Sequence, residues 1–342
     1  MAPTTFQAIR ILIGAIASFV VALALTPTVT RLIMRFELKK QIRTSESAPI
    51  FAALHKKKAG TPTAGGIIIW GTVLMIAVIF YFLPKFDFVD RAQTFLPLAA
   101  FFIAAGIGLV DDLMGIAGMG PKGGGISIRQ KLVAYFAISL VGAMWFYYRL
   151  GWNALAIPFD GTIQLGWWYI PFFMFIVIAS AFSVNETDGL DGLAGGVMLF
   201  AFTALTVIAF SLGRYHLAMF DAVIAGALLA FLWFNIYPAR FFMGDTGSMA
   251  LGITLGVTAM LTNTALLLPF FAIIPIVETL SVIVQMTSKK LRGKKIFRST
   301  PIHHHFEAIG WPESQITMRF WIISAVSSIA GLVVFFIEKF FK

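Results

Sequence analysis

Ten apolar stretches, each near the roughly 20 residues that a membrane-spanning helix needs, dominate this sequence of 342 residues. Of these residues, 59% are hydrophobic and only 12% are charged, about half the share usual in soluble proteins. Cysteine is absent, which excludes disulfides and thiolate–metal sites. The pattern predicts an all-α polytopic membrane protein with about ten transmembrane helices in one domain, 1–342. The predicted spans are 8–33, 66–83, 94–114, 131–148, 167–186, 193–211, 217–236, 247–263, 264–286 and 318–338.

The basic residues are distributed unevenly between the loops on the two sides of the membrane. If loop 34–65 is cytoplasmic, 19 of the 26 Lys and Arg residues, counting those at span ends, fall on the cytoplasmic side. Basic loops tend to stay in the cytoplasm, so this bias predicts that both termini are extracytoplasmic. It also accounts for the net charge of +10, and no nucleic-acid partner is predicted.

Five polar or glycine-rich motifs lie in, or at the edge of, alternate loops. All five therefore fall on the cytoplasmic side of the predicted spans, and the opposite loops hold no comparable cluster. This shared placement predicts one active site on the cytoplasmic face. The motifs are Gly60–Gly66, Asp111–Asp112, Asn185–Gly192, Asn235–Ser248 and Thr300–Glu307.

Acidic residues are concentrated in two of these motifs. Asp111 and Asp112 follow an apolar run, where two carboxylates are costly unless they are paired, hydrated or bound to a metal. They indicate a cation site or general base, or else a solvated helix end. Adjacent helical residues diverge by about 100°, so the two acids need not face one ligand. Asp188 and Asp191 would share one face of a helical turn, or they belong to an ordinary polar turn.

The turn Phe242–Ser248 combines glycines with a carboxylate. Glycines let the backbone approach a phosphate closely, and Asp245 beside them is suited to Mg²⁺. Phe242 is suited to stacking on a nucleotide base. The turn is not a P-loop, because no Gly-Lys-Ser/Thr follows it.

Three consecutive histidines, His303–His305, form the least ordinary motif. Zinc sites on rigid elements prefer spaced ligands, so phosphate binding or proton transfer suits this block better. The basic run Lys289–Arg298 before it suits a diphosphate or anionic membrane lipids, although it could also serve membrane topology alone.

Two further features carry both a functional and a structural interpretation. Thr61–Gly66 follows three lysines and offers hydroxyls and free N–H groups to an anion, so Thr63 is predicted to bind substrate. The same stretch could simply precede the second span as a helix breaker. Glu278, inside the ninth predicted span, indicates either a functional acid or a hydrogen-bonded structural one.

Taken together, the motifs resemble those of the phospho-N-acetylmuramoyl-pentapeptide transferase family. A wider superfamily, including polyprenyl-phosphate N-acetylglucosamine-phosphate transferases, shares the acidic motifs. The triple-histidine block followed by Gly310–Glu313 is much more specific to the muramoyl branch. The matching stretches, in the order of the family, are Gly60–Gly66, Gly108–Asp112, Thr187–Ala194, Phe242–Ser248 and Pro301–Glu307.

The resemblance implies a ten-helix enzyme, often dimeric, in the bacterial inner membrane. It implies that UDP-N-acetylmuramoyl-pentapeptide and undecaprenyl phosphate react with Mg²⁺ to give lipid I and UMP. Asp245 matches the magnesium-binding acid, and Asp111 matches the proposed base toward the lipid phosphate. The implied catalytic positions are Asp111, Asp112, Asp245 and His303, and the implied substrate-binding positions are Lys58, Asn185, Asp188, Asp191, Asn235, Phe242, Gln285, His304 and His305.

This sequence departs from the family pattern at two places. Family members often have a basic residue soon after the paired acids, so Lys122 or Lys131 is predicted to supply that charge to the substrate. Glu186 replaces a usual leucine, and its charge would be unfavourable beside a diphosphate unless it is paired or turned away. Two alternatives stay open: an N-acetylglucosamine-phosphate transferase, and a secondary transporter, although the chain shows no internal repeat.

Overall fold

The computed structural model describes residues 3–35, 60–121 and 124–341. Helices account for most of this part of the chain. They are α1 (Pro3–Arg35), α2 (Gly66–Tyr81), α3 (Phe95–Ile116), α4 (Ile128–Met144), α5 (Tyr169–Thr187), α6 (Leu193–Ser211), α7 (Tyr215–Asn235), α8 (Asp245–Leu261), α9 (Leu268–Phe271), α10 (Ile273–Arg292), α11 (Ile302–Ala308) and α12 (Glu313–Phe341).

Each predicted span overlaps at least one of these helices, and the chain is a multi-pass membrane protein. Within the described ranges, seven helices are long and apolar enough to cross a membrane, or eight if one bent pair counts as a single span. Helix α2 is a shorter apolar helix, and α8 has only 17 residues. Length and composition alone therefore support seven or eight spans and not the ten that the apolar stretches predicted.

The ninth predicted span is broken. Residues Ala265–Phe271 and Ile273–Arg292 meet at an angle of 90°, so α10 runs perpendicular to the segment before it. The break expected around Asn263 is present between α8 and this segment, and Asn263 has a left-handed backbone with φ 55°. Asparagine is one of the few residues other than glycine that visits this region routinely.

One short β-hairpin interrupts the otherwise helical chain, and the sequence patterns do not predict it. Strands β1 (Ala154–Ile157) and β2 (Gly161–Gln164) pair antiparallel between α4 and α5. The Asn263 side chain accepts a hydrogen bond from the Ala156 N–H at 3.1 Å, which joins the hairpin to the break after α8. The hairpin therefore lies near the C-terminal end of α8, away from the motifs at the N-terminus of that helix.

Helix α8 forms the centre of the bundle. Every residue from Thr246 to Leu261 is buried, because α2, α3 and α5 pack around it. Its glycines allow close packing: a Cβ on Gly252 would lie only 2.7 Å from the Cα of Ala181 on α5. Small residues at helix contacts are the usual means of close packing in membranes.

The outer helices present apolar side chains to their surroundings. Leu12 on α1, Val133 on α4 and Ile322 on α12 are all exposed by more than 60%. In a soluble protein such broad apolar surface would promote aggregation, whereas in a bilayer it faces lipid. These faces therefore agree with a membrane environment.

Candidate active site

The N-terminus of α8 is held by α3. Both carboxylate oxygens of Asp112 accept backbone N–H groups there, from Asp245 at 3.2 Å and from Thr246 at 3.0 Å. Gly108, one turn earlier on α3, lies against the Asp245 carbonyl. A carboxylate at a helix N-terminus is favoured by the helix dipole and by the free N–H groups of the first turn. Asp112 therefore fixes the start of α8 and with it the Asp245 side chain.

The predicted anion-binding stretch and the glycine-rich turn form one backbone unit. Phe242 donates its N–H to the Pro62 carbonyl, and Gly65 donates to the Phe242 carbonyl, both at 2.8 Å. Thr63 lies within this unit and is almost fully buried at 1% exposure. The pairing explains how two motifs about 180 residues apart in sequence meet.

Asp111 and Asp245 converge on one cation, the ammonium of Lys131. The Lys131 Nζ lies 2.9 Å from Asp111 Oδ2 and also contacts Asp245 Oδ2. The second oxygen of each acid is held by an N–H donor. Asp111 Oδ1 accepts from Ile126 N at 2.5 Å, and Asp245 Oδ1 accepts from Asn185 Nδ2 at 3.1 Å. We call Asp111, Lys131, Asn185 and Asp245 the acid cluster.

The two adjacent acids of α3 have different surroundings, in agreement with their divergent directions on the helix. Asp111 faces α4 and the acid cluster, whereas Asp112 faces the backbone of α8. Of the two, Asp111 is the one placed beside the cation. A catalytic role for Asp112 stays a prediction, and its contacts here are those of a residue that positions Asp245.

The turn between α5 and α6 anchors the loop that precedes α8. Asp188 Oδ2 accepts the Gly244 N–H at 3.1 Å, and Asp191 Oδ2 accepts the Ala239 N–H at 3.0 Å. Asn235 bridges the two segments, since it accepts from Gly192 N at 3.0 Å and donates to the Phe241 carbonyl at 2.8 Å. Asp191 and Asn235 are buried, and these contacts shape the loop that carries Phe242 and leads into Asp245 at the start of α8.

His303 is fully buried beside an acid from α10. Its Nδ1 lies 3.0 Å from Glu278 Oε2, and its backbone N–H is 3.3 Å from the same oxygen. Burial lowers the pKa of His303, but the carboxylates of Glu278, Glu307 and Glu186 outweigh it and raise the pKa above its ordinary value. Glu278 therefore pairs with the histidine block, and the carboxylate of Glu186 is close enough to stabilise a charged His303.

The other two histidines have separate partners. His304 Nδ1 lies 2.6 Å from Glu307 Oε2, and His305 Nδ1 accepts the Arg298 N–H at 3.1 Å. The Nδ1 atoms of the three histidines therefore have three different partners. Gln285 holds the basic loop before them: its Oε1 accepts N–H groups from Ile296 and Phe297.

The histidine block reaches the rest of the site through Gly189. A Cβ at this position would lie 2.2 Å from the His303 Nε2, so only glycine fits between the turn and the ring. The same turn contacts the loop before α8 through Asp188. The histidines, the turn between α5 and α6 and the acid cluster are thus connected through direct contacts.

Two predicted substrate-binding residues, Lys58 and Lys122, lie outside the described residues. Within the described part of the chain, no three His, Asp or Glu side chains converge as a metal site. A metal ion held by Asp111 and Asp245 would therefore need substrate oxygens or water as further ligands, as Mg²⁺ commonly has.

Sequence reasoning gave no individual role to three residues at this site. Ser248 receives the Asn185 side-chain N–H at 2.9 Å, Glu313 accepts the Asp191 N–H at 2.6 Å, and Tyr135 is buried within electrostatic range of Asp245, Asp111 and Glu186. Tyr135 was detectable, because it lies four residues after Lys131 and so on the same helix face. The roles of Ser248 and Glu313 depend on contacts between residues distant in sequence.

Known proteins resemble this chain in sequence. Residues 94–263 match the family described as Glycosyl transferase family 4. The chain is 40% identical over 319 residues to a phospho-N-acetylmuramoyl-pentapeptide-transferase of Clostridium perfringens, covering 93% of this chain and 96% of the relative. This chain belongs to the phospho-N-acetylmuramoyl-pentapeptide transferase family.

Other members of the phospho-N-acetylmuramoyl-pentapeptide transferase family show the same extent of similarity. The protein of that name from Chloroflexus aurantiacus is 38% identical, with 94% of this chain and 89% of the relative covered. The one from Geobacillus thermodenitrificans is 37% identical, with 94% and 97% covered. The similarity thus extends over nearly the whole chain, well beyond the acidic motifs, and it identifies the chain as a phospho-sugar transferase of the membrane.

Proposed function

We propose that this chain transfers phospho-N-acetylmuramoyl-pentapeptide from its UDP conjugate to undecaprenyl phosphate, which yields lipid I and UMP for peptidoglycan synthesis. The observation that carries the proposal is sequence similarity to transferases named for this donor group. The identity is 37–40% and extends over 93–94% of this chain. The convergence of the acidic, glycine-rich and histidine motifs around the N-terminus of α8 supports it. In the reaction, an oxygen of the lipid phosphate attacks the sugar-linked phosphorus, and the bond to UMP breaks.

We further propose Mg²⁺ as the cofactor. Asp111 and Asp245 each direct one oxygen at the same ammonium, so the site already accommodates a cation between two carboxylates. Carboxylate oxygens are the ligands that Mg²⁺ prefers. Bound there, Mg²⁺ would neutralise charge on the diphosphate and on departing UMP.

The side chains around this position have separable tasks. Asp245 would hold the metal, with Asn185 fixing its orientation by one hydrogen bond. Asp111 would orient the lipid phosphate or accept its proton. Because a phosphate monoester has a second pKa near 6 and is largely ionised at neutral pH, a general base helps only modestly. Direct attack is the proposed route, and an acid-labile phospho-sugar enzyme trapped without acceptor would overturn it.

The histidine block and the basic loop would bind the donor. His303 is charged more readily than an ordinary histidine because of Glu278, and Gly189 lets the acidic turn approach it. The positive charges of the basic run Lys289–Arg298 suit the negatively charged diphosphate. Phe242, in the loop before α8, remains the proposed base-stacking residue.

We place the site on the cytoplasmic face of the bacterial inner membrane, with both termini outside and ten spans in a homodimer. The count of ten includes the short helices α2 and α8 and the bent segment α9–α10. The charge bias of the loops supports the orientation. The dimer rests on the family resemblance alone.

The deciding experiment measures UMP release by purified protein supplied with both substrates and Mg²⁺. We expect release by the wild type and a loss of at least about a hundredfold in Asp245→Asn, because the carboxylate that would hold the charge-neutralising Mg²⁺ is removed. Asp160→Asn, at the exposed turn of the β-hairpin, is the matched control and should retain full activity.

Two other results would redirect the assignment. Preference for UDP-N-acetylglucosamine over the muramoyl-pentapeptide conjugate would make the chain an N-acetylglucosamine-phosphate transferase. Uptake into sealed vesicles without UMP release would favour a transporter.

A further inference from the structure

Lys131 lies between the two carboxylates that are proposed to hold a metal ion. Its ammonium contacts Oδ2 of Asp111 and Oδ2 of Asp245, while the Oδ1 atom of each carboxylate accepts an N–H group. One cation thus bridges the two oxygens that are directed at the centre of the acid cluster. A divalent cation bound between these acids would need the same two oxygens.

The surroundings keep the ammonium in this position. The Lys131 side chain is 17% exposed, and those of Asp111 and Asp245 are 8% and 14% exposed. At low exposure, charge pairs are screened less by solvent than they are at the surface, so each carboxylate attracts the ammonium strongly. The side chain comes from α4, whereas the acids come from α3 and α8, and Lys131 therefore links three helices.

We propose that Lys131 is an internal counter-ion that competes with Mg²⁺ for Asp111 and Asp245 and must be displaced when the metal binds. The inference rests on the proposed metal site. It makes Lys131 a positioning residue for metal entry, in addition to the substrate contact predicted from its charge. Without donor, the ammonium holds the acids; when an anionic diphosphate arrives, it offers the ammonium another partner.

Two consequences follow from competition. The metal-free protein should bind divalent cations weakly, since binding has to break two ion pairs. Metal and nucleotide should bind cooperatively, because a diphosphate that draws Lys131 away leaves the carboxylates to the metal. By linkage, the metal should tighten nucleotide binding by the same factor.

The first test measures Mn²⁺ affinity of the purified full-length protein by electron paramagnetic resonance, without substrates. We expect Lys131→Met to bind Mn²⁺ about tenfold more tightly than the wild type, since the competing charge is gone. Arg129→Met is the matched control: it removes the positive charge of an exposed side chain two residues away, and its affinity should stay within about twofold of the wild type.

The inference is overturned if Lys131→Met binds Mn²⁺ no more tightly than the wild type, or if Arg129→Met tightens binding equally. Absence of Mn²⁺ binding in every form would also overturn it. None of these results depends on turnover. If the wild type releases no UMP but Lys131→Met still binds Mn²⁺ more tightly than the wild type, the proposed reaction is refuted and the inference stands.

A second measurement uses the wild-type protein. It covers the case in which Lys131→Met does not fold because the charges of Asp111 and Asp245 repel each other. Wild-type protein is treated with an amine-acylating reagent with and without Mn²⁺, and modified peptides are quantified by mass spectrometry. Displacement predicts that Mn²⁺ increases acylation of Lys131 several-fold, while the exposed Lys289 and Lys290 stay unchanged. Equal or lower acylation of Lys131 with Mn²⁺ would contradict the inference.

Discussion

Gly108 on α3 packs directly on the backbone of Asp245 at the start of α8. A Cβ on Gly108 would lie 2.3 Å from the Asp245 carbonyl oxygen and 2.5 Å from its carbonyl carbon. Because neither atom belongs to a flexible side chain, the helices would have to separate. The position of the candidate metal-binding acid therefore depends on the absence of a side chain at residue 108.

This contact predicts the effect of Gly108→Ala. Forcing a methyl group into a packed contact costs about 1–3 kcal/mol of the free energy of unfolding. A shift of Asp245 by even about 1 Å should lower UMP release by up to about a hundredfold. Thermal unfolding in detergent and UMP release measure the two effects.

The same helix supplies the control. A Cβ added to Gly106 would meet no other atom within 4 Å, so Gly106→Ala should fit. It should gain up to about 1 kcal/mol from helix propensity and keep its activity. If both variants behave alike, helix contact at Gly108 does not position Asp245.

Asn185 provides a second prediction, on activity. Its Nδ2 donates to Asp245 Oδ1 and to Ser248 Oγ, so it fixes one oxygen of the acid. Asn185→Ala should lower kcat for UMP release by about ten- to a hundredfold through misplacement of Asp245. Steady-state kinetics at saturating donor and acceptor measure the change.

Ser248→Ala is the matched comparison, since it removes an acceptor of Asn185 but leaves the bond to Asp245. We expect a loss below about threefold, because the two hydrogen bonds that are removed, from Asn185 and to the Gly244 carbonyl, are both neutral. A loss as large as that of Asn185→Ala would mean that the bond to Asp245 is not what matters.

The helices are predictable from sequence, and much of the tertiary arrangement is not. Apolar stretches near the length of a membrane span indicate helices directly, and each predicted span except the broken ninth overlaps a single helix. The β-hairpin escapes prediction because its four-residue strands are too short for an alternation signal to show. The 90° bend between α9 and α10 escapes it for a different reason: apolar residues continue on both sides of Ala272.

At the candidate site, motif positions are predictable but partners are not. Because successive loops lie on opposite sides of the membrane, the positions of the motifs in alternate loops are enough to assign the acids, glycines and histidines to the same side. The roles within a motif depend on contacts across the chain: Asp111 meets Lys131 whereas Asp112 meets the α8 backbone, 133 residues away. The side chains of Asn235 and Gln285 bond to backbone groups of nearby loops, which no motif predicted, and their substrate binding stays a prediction.

The ion pair between His303 and Glu278 predicts a pH-dependent stability. The folded-state pKa of His303 is raised, so the pair stabilises the fold fully below the unfolded value of about 6.5 and loses this contribution as pH rises through the raised pKa. The Glu278→Gln substitution removes the carboxylate that contributes most to raising the pKa of His303. The wild type should exceed this variant in stability by more at pH ~6 than at pH ~9.

Thermal unfolding at the two pH values measures this difference, with Asp160→Asn as a control whose offset from the wild type should not change. A constant offset for Glu278→Gln would show that His303 does not titrate against this acid. Residual pH dependence in the variant is expected, since Glu307 and Glu186 also favour the charged ring.

Gly189 and His303 should be energetically coupled. The substitution Gly189→Ala places a methyl group against the His303 ring, 2.2 Å from Nε2 at the unrelaxed position, and should cost about 1–3 kcal/mol of the free energy of unfolding. The backbone of Gly189 has no positive φ, so alanine is otherwise permitted there.

A double-mutant cycle tests the coupling. In a His303→Ala background the ring is absent, and Gly189→Ala should then change stability by less than about 0.5 kcal/mol. Both proteins compared in that background lack the pair with Glu278, so its loss does not affect the difference in stability between them. Equal costs in both backgrounds would mean that glycine is needed for another reason. A coupling of the expected size would identify Gly189 as the residue that lets the turn between α5 and α6 pack against the histidine block.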